Sequence, residues 1–123
     1  MNLTILKICS GAEPEVVTIP HTLSAMQEIV GGSIEAIYPF EDSVALVCND
    51  EGKLLNLPLN RAVRDPATGA VLDIIAGTFF ICGLSQDDFV SLPKEQIERY
   101  RSLFRHPEVF LQSESQLLIL QIE

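Results

Sequence analysis

The spacing of apolar and polar positions changes several times along the chain, and each change marks an element. Leu3-Thr4-Ile5-Leu6-Lys7-Ile8 alternates, with apolar residues at 3, 5 and 8, and reads as a strand although Leu6 breaks the pattern. Gly11-Ala12-Glu13-Pro14 is turn chemistry, and Glu15-Val16-Val17-Thr18-Ile19, closed by Pro20, completes an N-terminal hairpin. The period then lengthens. Leu23, Met26, Ile29 and Val30 share one face of a short helix, with Thr22 as its N-cap and Gly31 where a left-handed C-cap is cheapest. Ser33 to Tyr38 and Val44 to Cys48 are rich in β-branched and apolar residues and predict two paired strands. Asn49-Asp50-Glu51-Gly52 is a turn, after which Lys53-Leu54-Leu55 resumes the meander.

From Asn56 to Leu72 the periodicity fails, and the stretch reads as a long loop, a place where function often resides. The run from Ile74 to Cys82 is the most apolar in the chain and predicts one buried central strand, with Gly77 as a bulge or close approach. Leu92-Pro93 opens a second helix. Ile97, Tyr100 and Phe104 form its apolar stripe, Leu103 widens it, and Glu95–Arg99 and Glu98–Arg101 are spaced as surface ion pairs. His106-Pro107 ends the helix. Leu117 to Ile122 is apolar on both alternating faces, as in a strand covered on both sides. That strand either pairs within the sheet or completes a neighbouring copy's sheet in a homodimer.

The 123 residues suit one domain, 1–123, able to bury roughly two-thirds of its unfolded surface. An apolar content of 47% and a charged content of 20% exclude wholesale disorder. No apolar run is long enough for a membrane span, and the opening lacks the pattern of a signal peptide. The formal charge of −9 argues against direct nucleic-acid binding and suits solubility, a basic partner or mimicry of a polyanion. Four of the eight basic residues, Lys94, Arg99, Arg101 and Arg105, lie on the second helix, as a solvated face or a docking edge for an acidic partner. Cys9, Cys48 and Cys82 are widely spaced among apolar neighbours, which fits reduced thiols in a cytoplasmic protein rather than a zinc site.

Catalytic chemistry is hard to assemble from this inventory. Only His21 and His106 supply imidazole, and each is explained by its place at a helix end. There is no nucleophile elbow, phosphate-binding loop or H-E-x-x-H pair. Asp50-Glu51 and Asp87-Asp88 lie in turns and read as solvated acids. No enzyme activity, metal or cofactor is expected. One polar cluster remains: Asn49, Asn56, Asn60 and Arg61, mixed with Leu54, Leu55, Leu57 and Leu59. Amides, an anion-gripping arginine and apolar walls would make a pocket for a nucleotide-like anion. The same residues also make an ordinary loop, with asparagines closing turns and leucines pinning it to the core.

An ordered series of segments resembles the bacterial domain of unknown function 3846 family. It comprises Glu15 to Pro20, Ile29 to Glu35, Val44 to Leu54, Leu57 to Arg61, Asp73 to Gly83 and the helix around Ile97 to Tyr100. The likeness covers about residues 3–105 and leaves 106–123 as a C-terminal extension. The resemblance implies a phage or mobile-element setting, where small accessory proteins often bind host proteins.

The fold expected is a single α+β domain, a mixed or mostly antiparallel sheet of about six strands with two helices packed on it. The function expected is a non-catalytic accessory or binding module acting through protein–protein contacts. The alternatives are a small-ligand binder using the Asn49–Arg61 region and an acidic nucleic-acid mimic.

Overall fold

A computed structural model describes residues 1–86 and 88–122. The N-terminal hairpin forms as the alternation requires, with β1 (Asn2–Ile8) antiparallel to β2 (Glu15–Pro20). It is followed by α1 (Leu23–Val30), β3 (Ile34–Ile37), β4 (Val44–Asn49), β5 (Leu59–Arg64), β6 (Val71–Ala76), β7 (Phe79–Ser85) and β8 (Asp88–Val90). The chain closes with α2 (Lys94–Leu103), β9 (Glu108–Gln112) and β10 (Leu117–Gln121).

The main sheet has six strands, ordered β2-β1-β7-β4-β3 with β8 also paired to β7, and every pairing is antiparallel. Both of its faces are covered. On one, α1 contributes Met26 and Val30 against Leu3, Ile5, Val47, Phe80 and Cys82. On the other, Val63 and Ile75 of the β5–β6 ribbon join Tyr100 and Phe104 against Leu6, Ile8, Leu46, Phe79 and Ile81. This three-layer arrangement explains Leu6. In β1 the odd residues face α1 and the even ones face α2, so apolar residues are needed on both sides.

The ends of α1 behave as their residues dictate. The Thr22 hydroxyl accepts from the Ala25 amide at 3.1 Å, and Gly31 takes φ +79° while its amide donates to the Gln27 carbonyl. In α2, Pro93 sits at the N-cap position with extended backbone, and Tyr100 is the buried side chain.

Five expectations are corrected. Residues 56–72 are not one loop: they hold β5 and the start of β6, a two-stranded antiparallel sheet of its own. The apolar run from Ile74 to Cys82 is not one strand but the end of β6 and the start of β7, parted at Gly77 with φ +85°. Lys53-Leu54-Leu55 forms turns rather than a strand: the Leu55 amide donates to the Glu51 carbonyl, and Leu54 and Leu55 are exposed. The last strand is not covered on both faces: it pairs at one edge with β9 in a separate two-stranded ribbon, and of its five residues only Ile119 is half-buried. Leu103 is also exposed rather than part of the buried stripe.

Candidate functional site

Asn60 and Arg61 are the most buried polar residues among those described, and their strand explains how two neighbours both turn inward. The ladder from β5 to β6 slips between Leu59 and Arg61, and this bulge leaves Asn60 outside the regular alternation. The Asn60 amide nitrogen donates to the carbonyls of Ile8 and Gly77, each at 2.9 Å. Its side-chain oxygen accepts from Arg61 Nη1 at 2.9 Å. Arg61 Nε and Nη2 donate to the Phe104 carbonyl, and Nη2 also reaches the Ala12 carbonyl at 2.6 Å. Nη1 has a second contact with the Asn60 carbonyl at 3.4 Å. All five guanidinium N–H groups thus point at acceptors within the chain. Burial lowers the arginine pKa, partly offset by the nearby Glu108 carboxylate and then Cys9.

The four residues of the polar cluster do not converge. Asn49 holds its own turn: Oδ1 accepts from the Glu51 amide at 2.7 Å, and Nδ2 donates to the Val30 carbonyl at 3.1 Å. Asn56 is exposed with φ +56° and turns the chain towards β5. Asn49 borders a cleft of about 140 Å³ whose other walls include Glu35, Cys48, Asp50, Glu51, Lys53 and Asp73. Lys53 is bonded to Asp73 at 2.7 Å, so the cleft keeps a surplus of carboxylates that would repel an anion. The Glu35 carboxyl is held above its usual range by its hydrogen bond with Asp50, then by desolvation, then by the charges of Asp50 and Asp73. Cys48 is pushed up to about 11, by burial first and by the same acids second.

A larger depression lies where α2 meets two loops. Pro39, Phe40, Pro66, Ala67 and Leu103 give it apolar walls, and Glu41, Asp42, Asp65 and Arg99 give it a charged rim, around about 1050 Å³. Its shape is fixed by Asp42, which accepts from the Tyr100 hydroxyl at 2.7 Å and is paired with Arg99. Arg99 therefore bonds Asp42 instead of the Glu95 expected from spacing, whereas Glu98–Arg101 forms as expected at 3.7 Å. The Tyr100 hydrogen bond first, and Arg99 second, hold the Asp42 carboxyl below its usual range. Burial, then Asp42, raises the Tyr100 phenol. Phe40 packs against Tyr100 in a tilted arrangement and edge-on against Phe104, with ring centres at 4.8 and 6.2 Å, which braces the loop against α2.

Sequence reasoning missed this depression because its parts come from three distant segments, around residues 40, 66 and 100. In the sequence Pro39-Phe40-Glu41-Asp42 is only the stretch between the predicted strands Ser33 to Tyr38 and Val44 to Cys48. An aromatic beside a proline in a polar break was the available signal. Among the described residues no group of three or more His, Cys, Asp or Glu side chains is arranged to hold a metal ion, and no helix is long and apolar enough to cross a membrane. His21 approaches Asp88 at 3.3 Å, and Asp87 lies outside the described residues.

The architecture is therefore that of an α+β domain: an antiparallel sheet with one helix on each face, and a buried polar pair on the β5 strand of the adjoining ribbon. Residues 1–105 match the family model described as Domain of unknown function (DUF3846), and the chain belongs to that family. No curated protein and no solved structure matches the chain.

Proposed function

We propose that this protein is a non-catalytic accessory module that acts by binding another protein, and that the depression beside α2 is its contact surface. The observation that carries this reading is the composition of that depression. Its apolar walls are large enough to seat several side chains of a partner segment, and its rim has three carboxylates against one guanidinium. With a formal charge of −9 on the whole chain, the complementary partner is a segment with basic residues flanking apolar ones. Preorganisation supports the same reading, because the Asp42–Tyr100 bond and the packed rings of Phe40 and Tyr100 fix the walls before anything binds.

The family resemblance supports a phage or mobile-element setting, with a host protein as partner. The small-anion reading has less to rest on. The donors of Arg61 are occupied within the fold, and the cleft beside Asn49 is acidic.

Affinity capture from a bacterial lysate tests the proposal, with wild type compared against the double variant Glu41→Lys/Leu103→Arg. A protein retained by wild type, released by salt and lost in the variant supports it. Equal capture by both, or no protein retained by wild type, sinks it.

A further inference from the structure

Asp42 lines the depression beside α2 and already holds a guanidinium, that of Arg99. The Tyr100 hydroxyl and Arg99 Nη1 both donate to the same carboxylate oxygen, Oδ2. The other oxygen, Oδ1, has no partner among the described residues, and it is not buried.

The two donors differ in how firmly they are placed. Tyr100 is 2% exposed and packs against Phe40, so its hydroxyl is a fixed part of the site. The Arg99 side chain is 56% exposed, so water takes its place at Asp42 at little cost. Arg99 also has a second acceptor within reach. Glu95 lies one turn earlier on α2, at the spacing that suits a carboxylate and a later cation. Glu95 is exposed and pairs with no cation among the described residues.

Resting on the reading of the depression as a protein-contact surface, we propose that Arg99 is an internal stand-in for an arginine of the partner, which takes Asp42 while Arg99 turns to Glu95. Arg99 itself shows that the space beside Asp42 admits a guanidinium. It engages one oxygen only, whereas an arginine entering from the depression takes Oδ1 and Oδ2 together. A planar two-pronged contact of that kind is stronger than a single donation, and a lysine ammonium offers no such fork.

Charge favours the exchange as well. Before it, Asp42 is paired and Glu95 is not; after it, both carboxylates have a cation. Glu41 and Asp65, on the rim, pair with no cation among the described residues, so the site attracts positive charge even with Arg99 in place. Pro39, Phe40, Pro66 and Leu103 supply apolar surface for the methylenes of the incoming side chain and for its neighbours. Arg99 thus keeps Asp42 neutralised while the depression is empty and selects against segments that bring no arginine.

Titration of the full chain with a blocked leucine-arginine-leucine tripeptide at low ionic strength, followed by nuclear magnetic resonance, tests this. The same peptide with citrulline in place of arginine is the uncharged control. Wild type should show arginine-dependent shifts at Phe40, Asp42 and Tyr100, and the Nε–H resonance of Arg99 should move with them. Arg99→Gln removes the stand-in and should bind about threefold more tightly, the scale of an exposed ion pair. Asp42→Asn should bind at least about tenfold more weakly, the scale of a lost hydrogen bond to a charged group. Glu95→Gln should weaken binding in wild type and change nothing in the Arg99→Gln background. The Arg99→Gln variant and the citrulline peptide keep the test open if Asp42→Asn folds poorly. No shift at millimolar peptide, equal binding of the citrulline peptide, or an Arg99→Gln variant no tighter than wild type overturns the proposal. The titration uses no natural partner, so it fails separately from the lysate capture. A captured protein together with peptide shifts that ignore Asp42→Asn sinks the exchange and keeps the contact surface, and an empty capture beside Asp42-dependent shifts does the reverse.

Discussion

Arg61 Nη1 donates to the side-chain oxygen of Asn60 at 2.9 Å, so adjacent residues of one strand act as a single buried connector. Through it β5 is joined to β1 at Ile8, to the β6–β7 corner at Gly77, to the first turn at Ala12 and to the end of α2 at Phe104. These carbonyls are acceptors at places where regular pairing stops. Removing the guanidinium takes its donors from the Phe104 carbonyl and the Asn60 side-chain oxygen, both at buried residues, a cost that exceeds the net worth of any single bond. Arg61→Ala should therefore lower stability by roughly 2–5 kcal/mol, since each buried acceptor left unpaired costs about 1–3 kcal/mol and the packing of the side chain is lost as well. Urea denaturation followed by circular dichroism checks this, and a loss below about 1 kcal/mol, the level of one ordinary hydrogen bond, would refute the connector role.

Gly77 is the second element on which the β6–β7 corner depends. Its φ of +85° is one that L side chains rarely adopt, and a Cβ there would lie 2.7 Å from Leu57 Cδ1. Its amide donates to the Pro58 carbonyl while its carbonyl accepts from Asn60. Gly77→Ala should cost about 1–3 kcal/mol, as expected for a non-glycine residue held in the left-handed region. A melting temperature equal to that of wild type would contradict this.

These same residues explain what could be read from the sequence. The first hairpin, α1 with both caps, β3, β4 and the start of α2 were legible, since each rests on local pattern or terminal chemistry. The β5 strand was not, because Asn60 and Arg61 interrupt the apolar pattern with polar groups whose partners lie dozens of residues away. The run through Gly77 has the composition of a single strand, and only the positive φ of one glycine turns it into a corner. The acidic cleft and the depression beside α2 are assembled across the sequence, so neither leaves a local motif. For β10 the pattern predicted cover on both faces, and the fold half-buries Ile119 alone.

Two carboxylates should give stability opposite dependences on pH. Asp42 is held below its usual range by Tyr100 and then Arg99, so its contribution is present above the unfolded value of about 3.9 and is lost as pH falls through the lowered one. Asp42→Asn should therefore be less stable than wild type at pH 6 and lose less on acidification to pH 2. Glu35 is raised, chiefly by Asp50, so its contribution is complete below the unfolded value of about 4.3 and is lost as pH rises through the raised one. Glu35→Gln should accordingly raise the urea midpoint at pH 7 and leave it unchanged near pH 3. Parallel midpoint curves for wild type and both variants from pH 2 to 7 would show that neither environment survives in solution.

The thiols report on how tightly the sheet is covered. Cys82 lies in the layer between the sheet and α1, where burial pushes it up to about 12 against a weaker opposing hydrogen bond with the Ala45 backbone. Cys48, on the other face, is pushed up to about 11. At pH 8 both are protonated and shielded, and the attacking species in thiol exchange is the thiolate. Cys9 is only half-buried, at the end of β1. A chromogenic disulfide reagent should therefore titrate one thiol per chain quickly in native protein and three in denaturant, with Cys9→Ser abolishing the fast reaction. Fast reaction of a second thiol in the native state would mean that one covering layer opens readily, and comparing Cys48→Ser with Cys82→Ser would identify which.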